Sequence, residues 1–312
     1  MASVKAAYSG SLLKKKKAVN TENLSYHMML LPGIVILFIF ATLPLIGVVM
    51  AFQNYVPAKG FFGSEWVGLE HFKRMIEMPD SLQILKNTLI IAVSKMILGI
   101  IVPVVFSLVL NELRSKSYKR AVQTIVYMPH FLSWVILGGI FVSVFSLDGV
   151  VNYMLKSVGA EPIMFLGSND WFRPIVILTD TWKGFGFGTI IYLAALTAVD
   201  PNLYEAAAID GANRFQRCLH VTLPAIVPTI ILLTTLSLGS ILSAGFDQIY
   251  NMYNPIVYKT GDIIDTYVFR MGLESLQFSF GAAVGLLKSF VSALLISLSY
   301  FLASKFSNYR IF

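Results

Sequence analysis

The part of this chain that comes nearest to a reactive site is a glycine-containing run that ends in lysine and serine, from Gly281 to Ser289. It resembles the loop that binds nucleotide phosphates through backbone N–H groups and a lysine. That loop needs its second glycine directly before the lysine, but Leu287 precedes Lys288 and the run opens an apolar segment. The glycines are better suited to close helix packing. We therefore expect this chain to bind no nucleotide.

Histidine and cysteine offer no other reactive centre. The four histidines are scattered along the sequence, without the i, i+4 pairing or neighbouring cysteines of a metal site. Cys218 is the single cysteine, which excludes an internal disulfide. We predict a protein that is not an enzyme and that holds no metal or cofactor of its own.

The composition instead indicates a protein that crosses a membrane several times. Of 312 residues, 56% are hydrophobic and only 13% are charged, and the mean hydropathy is +0.71. A basic tail over residues 1–27 precedes a membrane domain over residues 28–312. Each apolar segment approaches the roughly 20 residues that a bilayer core requires. We predict an all-α fold with six spans near residues 28–52, 85–110, 122–147, 173–197, 225–246 and 284–304.

The positive charges favour one orientation, because short cytoplasmic loops retain lysine and arginine. Every second connection and both ends of the chain carry them, at Lys5, Lys14 to Lys17, Arg114, Lys116, Lys119, Arg120, Arg214, Arg217, Lys305 and Arg310. The other loops mix their lysines and arginines with many acidic residues. Both termini are therefore expected in the cytosol. Topology and contact with anionic lipid account for the net charge of +7, so no nucleic-acid partner is expected.

A polar segment at residues 200–224 interrupts the apolar pattern and predicts a helical hairpin on the cytosolic side. Asp200 and Pro201 suit the start of a helix, since aspartate accepts free N–H groups and proline has none to leave unbonded. Gly211 suits a left-handed turn that ends this helix near Asp210. A second short helix is expected from Asn213 to His220, followed by the next span, with Pro224 in its first turn.

The sequence of this hairpin resembles the EAA loop of membrane permeases in binding-protein-dependent ABC importers. The resemblance consists of Glu205 followed by two alanines, a glycine six residues after the glutamate, and Leu223-Pro224 beyond. It implies a type I importer permease fold in which this loop binds an ATPase. On the first helix, i, i+3 and i+4 spacing places small and polar residues on one face for such a contact. The residues assigned to coupling are Leu203, Glu205, Ala206, Ala207, Asp210, Gly211, Arg214, Leu223 and Pro224.

Other segments resemble the branch of these permeases that serves complex carbohydrates, of the polysaccharide and lipoprotein type. The resemblance implies a multi-pass subunit of a bacterial cytoplasmic membrane that imports oligosaccharides. Its implied partners are a second related permease, two subunits that bind ATP and Mg, and an external sugar-binding protein. Cys218 departs from the pattern, which commonly has an aromatic residue there. The segments lie at residues 51–55, 66–69, 110–112, 123–134 and 190–196.

Ionisable residues inside the spans indicate where a solute could pass, because an unpaired charge in lipid costs at least about 2.5–3.5 kcal/mol. Lys183 adjoins Trp182 on the span that leads into the hairpin, and Tyr192 offers a ring and a hydroxyl on the same span. Lys95 and Lys288 either line a pathway, extend to the membrane surface or pair with a neighbouring subunit. The candidate pathway residues are Trp182, Lys183, Tyr192, Thr234, Ser237 and Asp247.

Two alternatives stay open at this point. One is a permease of the same superfamily for a peptide, amino acid or ion. The other is a membrane scaffold or sensor that binds an ATPase without transporting anything.

Overall fold

The computed structural model describes the backbone of residues 21–306 and the side chains of residues 26–301. The chain divides into two units, residues 1–49 and residues 50–312. The described part of the first unit is helical: α1 (Thr21–Leu37) continues through a π-helical turn (Phe38–Thr42) into a 3-10 helix (Leu43–Phe52), whose last residues belong to the second unit. Large apolar side chains are exposed along this segment, as in a helix that faces lipid.

The second unit contains nearly all other secondary structure of the described chain, and it is helical apart from one short pair of strands. Residues Gln53–Asn54 (β1) and Glu65–Trp66 (β2) pair antiparallel. The helices in chain order are α2 (Gly60–Gly63), α3 (Glu70–Glu77), α4 (Ser81–Asn111), α5 (Lys116–Tyr127), α6 (Trp134–Val144), α7 (Val150–Ser157), α8 (Asn169–Thr197), α9 (Pro201–Ile209), α10 (Arg214–Arg217), α11 (Leu223–Leu238), α12 (Phe246–Met252), α13 (Tyr258–Gly261), α14 (Ile264–Phe269) and α15 (Phe278–Phe306).

The lengths and composition of these helices confirm the predicted all-α membrane fold. Four continuous helical segments in the described chain are long and apolar enough to span a bilayer. They are Tyr26–Phe52, Ser81–Asn111, Arg214–Leu238 and Phe278–Phe301. Two bent helix pairs raise the number of candidate spans to six if each pair is one span. These pairs are Lys116–Phe131 with Trp134–Val144, and Asn169–Thr197 with Pro201–Ile209.

The segment of the predicted span over residues 122–147 is a bent pair of helices in the structure. Helices α5 and α6 meet at an angle of 99° around a 3-10 turn, Met128–Phe131. Pro129 in this turn has no N–H to continue the ladder. The Ser133 side chain accepts the Ile136 N–H at 3.3 Å and starts α6 anew. At Gly186, α8 lies so close to α5 that a Cβ would overlap the Val126 carbonyl.

The fifth predicted span, residues 225–246, also differs from the structure. Helix α11 ends at Leu238, and successive turns lead through Gly245, which has a φ of 95°, into α12. The turns are stabilised partly from outside the segment, because the Lys95 ammonium donates to the Ala244 carbonyl at 2.7 Å. Apolar composition continues past Leu238 and therefore concealed the end of the helix.

The core of the second unit is built on α4 and α8, which pack along each other. One buried cluster combines Ile91 of α4, Phe172 and Val176 of α8, and Ile249 of α12. A second cluster combines Val104 and Leu110 of α4 with residues of α8 and α11. Helices α4 and α8 thus form the core against which the flanking segments pack, including α6 and the segment from α11 to α12.

The connection between α12 and α15 is held by a charged cluster. Arg270 binds the Asp262 carboxylate with both terminal nitrogens, at 3.1 and 2.5 Å, and lies 4.2 Å from the centre of the Tyr258 ring. Burial raises the pKa of the neighbouring Tyr253 phenol. The two planar hydrogen bonds and the ring contact hold the short helices α13 and α14 together.

Candidate functional site

The first helix of the predicted hairpin, α9, begins where the sequence indicates. The Asp200 carboxylate accepts the Asn202 N–H at 2.9 Å, and Pro201 is the first helical residue. The predicted cap is therefore confirmed. Because α8 ends just before Asp200 and α9 leaves it at 71°, this cap sets the direction in which the hairpin departs from the membrane span.

Gly211 forms the corner of the hairpin with a φ of 79°, as predicted. The Ala212 N–H donates to the Ala207 carbonyl at 2.9 Å, and the Gly211 N–H donates to the Ala208 carbonyl at 3.1 Å. These two bonds make a Schellman motif, which satisfies the last carbonyls of α9. Apart from Gly211 itself and its two neighbours in the sequence, no atom of the described chain lies within 4 Å of a Cβ built on Gly211. The corner is therefore open to a partner.

The second helix of the hairpin starts with a reciprocal cap that the sequence analysis missed. The Gln216 N–H donates to the Asn213 side chain at 2.9 Å, while the Asn213 N–H donates to the Gln216 side chain at 2.8 Å. The signal was present in the sequence, since a capping residue followed three positions later by glutamine is typical of such a box. The cap fixes the start of α10 immediately after the Gly211 corner.

The hairpin continues into the next membrane span without a break, contrary to the prediction of a separate second helix ending at His220. Residues Arg214–Leu238 form one helical segment. A π-helical turn over Cys218–Thr222 directly precedes Leu223-Pro224. This wider turn accommodates Pro224 inside the helix, where an ideal ladder would clash with its ring. The Tyr204 hydroxyl lies 3.1 Å from the Thr222 hydroxyl and joins the two arms.

The tip of the hairpin exposes large apolar side chains. Leu203 is 51% exposed, Ile209 is 87% exposed and Phe215 is 75% exposed. Ile209 and Phe215 were not among the predicted coupling residues, although they flank Gly211 in the sequence. Glu205, Ala206, Asp210 and Arg214 are also exposed, whereas Ala207 is half-buried. Exposed apolar groups of this kind mark a contact surface in a polar segment.

Among the predicted pathway residues, Lys183 lies at the break between α5 and α6, and Trp182 lies against α6. The Lys183 ammonium donates to the His130 carbonyl at 2.9 Å and lies 5.5 Å from the Trp134 ring centre. Trp182 is 45% exposed and packs edge-on against Phe141. Lys183 thus borders the irregular segment between the two half-helices, whereas Trp182 packs against the second half-helix.

Tyr192, Thr234 and Asp247 lie elsewhere. Tyr192 is only 2% exposed and sits in the core between α4, α8 and α11, so its position does not support the predicted contact with a solute. The Thr234 hydroxyl donates to the Ile230 carbonyl at 2.7 Å. Asp247 is exposed in the first turn of α12. The structure does not bring these residues together with Lys183.

A polar cavity of about 290 Å³ lies between α4, α8 and the turns that follow α11. Lys95 is its central residue: its ammonium is 3.5 Å from the Asp180 carboxylate and 2.5 Å from the Gln248 side-chain oxygen. Serines complete the lining, at Ser237, Ser240 and Ser243. Asp180 was missed by the sequence analysis, although an acid inside a hydrophobic span is a signal in itself. Of the predicted pathway residues, only Ser237 lines this cavity.

Lys288 is paired within the chain and belongs to a regular helix. Its ammonium lies 2.5 Å from the Asp265 carboxylate and 3.1 Å from the Ser243 hydroxyl. The run from Gly281 to Ser289 lies in α15, whereas a phosphate-binding loop needs free backbone N–H groups. The geometry thus agrees with the interpretation of this run as packing.

Comparison with known proteins identifies the family. Residues 95–308 match the model of the family described as "Binding-protein-dependent transport system inner membrane component". This match covers more than half of the chain, and the chain belongs to that family. It is a multi-pass membrane permease of an ABC importer, which is a transport subunit, as the EAA loop indicated.

The chain is also similar to characterised relatives along most of its length. It is 44% identical to protein LplB of Bacillus subtilis (strain 168), covering 92% of this chain and 90% of the relative. It is 43% identical to the polygalacturonan/rhamnogalacturonan transport system permease protein YteP of the same organism, with 92% and 89% covered. A chain from the crystal structure of a bacterial ABC transporter that imports the acidic polysaccharide alginate superposes with a TM-score of 0.85 at 38% identity, covering 92% of this chain and 97% of that chain.

Proposed function

We propose that this chain forms half of the translocation pathway of an ATP-driven importer for oligosaccharides derived from polysaccharides. The observation that carries the assignment of the solute is the similarity to YteP and to the alginate importer along nearly the whole chain. Both proteins are named for polysaccharide transport. The alginate importer has also been crystallised with a periplasmic protein that holds an alginate pentasaccharide, which supports an external sugar-binding protein as a partner here.

The geometry of the hairpin supports coupling to a separate ATPase. Its exposed tip is joined to a membrane span by the continuous segment Arg214–Leu238, so a displacement of the tip would move the span. The other arm meets α8 at a bend of 71°, which makes it a less rigid connection. We therefore propose that the second arm, Arg214–Leu238, transmits the movement of the ATPase to the membrane span. The first arm, α9, supports the Gly211 corner.

The remaining partners follow from the same proposal. A half-pathway needs a second permease subunit, and two hairpins need two ATPase subunits to drive them. ATP and Mg would be bound by those subunits, since the only near-match to a phosphate loop in this sequence lies in the helix α15. The solute would meet this chain at the cavity around Lys95 and at the helix break beside Lys183.

The orientation belongs to the proposal as well, with both termini and the hairpin in the cytosol. We expect a membrane-impermeant thiol reagent to label cysteines placed at Ala58 and Ala160 in intact cells, and to label one at Ala208 only after the cells are opened. All three positions are exposed, and the native thiol would first be removed by Cys218→Ser. Labelling of Ala208→Cys in intact cells, with the other two protected, would show the opposite orientation.

Transport itself is tested with the complete complex in vesicles. We expect the chain, with its partner permease, ATPases and binding protein, to take up labelled oligosaccharides and to hydrolyse ATP faster when they are present. The purified chain alone, as the control, should hydrolyse no ATP. Stimulation by an amino acid, a peptide or an ion instead would favour a different importer, and ATP hydrolysis that no solute changes would favour a scaffold or sensor.

A further inference from the structure

We propose that Lys183 and the aromatic side chains at the break between α5 and α6 form a subsite for a carboxylate group, so that the oligosaccharide carried by this importer contains uronic acid units. This inference rests on the proposed function and adds the chemical class of the sugar. In this subsite Lys183 binds the negatively charged carboxylate, and the neighbouring aromatic rings pack against the face of the sugar ring.

The position of Lys183 calls for a polar environment. It is the middle residue of α8, which runs from Asn169 to Thr197, so at ~1.5 Å per residue it lies about 20 Å from either end of the helix. A charge at that depth is stable only where it faces protein or water. The side chain is half-buried. It is therefore neither sealed in the core nor placed to reach the membrane surface.

Two other lysines within the spans, Lys95 and Lys288, differ from Lys183 in having a carboxylate partner. Lys95 pairs with Asp180 at 3.5 Å, and Lys288 pairs with Asp265 at 2.5 Å. Within the part of the chain that the structure describes, Lys183 has no carboxylate within the 4.0 Å of a salt bridge. Its ammonium donates a hydrogen bond to the neutral His130 carbonyl. An ammonium has three donors, so Lys183 can bind an anion without breaking an ion pair.

The Trp134 ring lies 5.5 Å from this ammonium, and further aromatic rings lie around His130, whose carbonyl the ammonium binds. Phe187 lies four residues after Lys183 on α8 and stacks on the His130 ring with 4.0 Å between the centres. Phe131 packs edge-on against Phe187 and is 75% exposed. Exposed rings offer flat apolar surfaces to the C–H groups of a sugar ring, while the ammonium binds its charged substituent. A ring and a cation together match a uronate better than they match a neutral sugar.

The helix break explains how these groups come to a surface that a solute can reach. Irregular backbone at membrane depth is stable where it is buried in protein or lines a water-filled cavity. Transporters commonly place binding sites at such discontinuous helices. The exposure of Phe131 shows that this chain alone does not bury the break. The cavity around Lys95 is a poorer site for an anion, because Asp180 already balances its lysine.

The test compares Lys183→Met with Lys183→Arg in the complete reconstituted complex. The probes are labelled trigalacturonate, its neutral methyl ester, an alginate trisaccharide and maltotriose, each at a limiting concentration. We expect the unchanged complex to take up an acidic probe, and Lys183→Met to lower that uptake about 10-fold or more, as for a lost hydrogen bond to a charged group. Lys183→Arg, which keeps the charge, should retain most of it.

Two comparisons keep the result specific. Every variant is assayed with the same binding protein, so any preference of the binding protein for one sugar affects all variants equally. Any small uptake of the methyl ester should be equal in all three complexes, because a neutral probe does not use the charge and so reports whether the variant is folded. Equal uptake of the acidic probe by Lys183→Met and the unchanged complex would overturn the proposal.

The outcomes also separate this proposal from the proposed function. Uptake of maltotriose without any uptake of the acidic probes would overturn the assignment of an acidic sugar and leave the sugar importer standing. If none of the oligosaccharides enters or stimulates ATP hydrolysis, the proposed function itself fails and takes the carboxylate subsite with it.

Discussion

Gly211→Val is expected to abolish oligosaccharide-stimulated ATP hydrolysis while leaving the amount of the chain in the membrane unchanged. The left-handed corner costs a β-branched residue at least about 1–2 kcal/mol. Within the chain a new Cβ would meet open space, so the further effect comes from a side chain that protrudes into the surface offered to the ATPase. The measurement is oligosaccharide-stimulated ATP hydrolysis and oligosaccharide uptake by the complete complex in vesicles, and we expect both to be lost.

Gly211→Asn is the matched control, because asparagine adopts the left-handed conformation more readily than other residues with a Cβ. It should keep the corner and lose less coupling than valine does. A second comparison is Glu205→Lys, which reverses an exposed charge on α9 without changing the corner and should weaken ATPase binding. Normal coupling in both Gly211→Val and Glu205→Lys would mean that the ATPase binds this chain elsewhere.

Asp180→Asn is expected to destabilise the chain by about 2–3 kcal/mol, because it leaves the Lys95 ammonium without its carboxylate in a site where only 9% of the lysine side chain is exposed. The value is set below the roughly 3–5 kcal/mol for a fully buried pair, since Asp180 is 35% exposed. The midpoint of thermal unfolding in detergent should fall by on the order of 5–10 °C. Tryptophan fluorescence of the purified protein provides the measurement.

The exposed pair Lys156 and Asp148 is the matched control for this ion pair. The Lys156 ammonium and the Asp148 carboxylate are 3.8 Å apart, and the two side chains are 49% and 98% exposed. Asp148→Asn should therefore change the midpoint of thermal unfolding very little. A double variant, Lys95→Met with Asp180→Leu, should be more stable than Asp180→Asn because it removes both buried charges. Equal midpoints for Asp180→Asn and Asp148→Asn would show that the Lys95 pair contributes nothing to stability.

Local features were predictable because they depend on residues that are neighbours in the sequence. Asp200 caps α9 and Gly211 turns the chain because each acts on backbone groups a few positions away. The capping box of Asn213 and Gln216 was equally readable and was overlooked. The family resemblance was predictable for the same reason, since the EAA pattern lies within one hairpin.

The two broken spans were not predictable from apolar composition. Hydrophobicity reports that a segment avoids water, and apolar residues occur on both sides of the turn at Met128–Phe131 and of the helix end at Leu238. Pro129 and the Ser133 cap are local signals of the first break, but contacts with distant residues also hold the breaks in place, such as the Ala244 carbonyl bound by Lys95 and the close approach of Val126 to Gly186. A search along one segment does not detect such partners.

The sequence by itself determined the class of this protein, its membrane character and the corner of its hairpin, because hydrophobicity, charge and backbone preference act locally along the chain. Only the tertiary structure decided which ionisable residues are paired and which are buried. Folding brings Asp180 to Lys95 and Asp265 to Lys288, it buries Tyr192 in the core, and it leaves Lys183 beside exposed rings without a carboxylate among the described residues. Electrostatic energy depends on distance in space, and spacing in sequence does not supply that distance for residues on different helices.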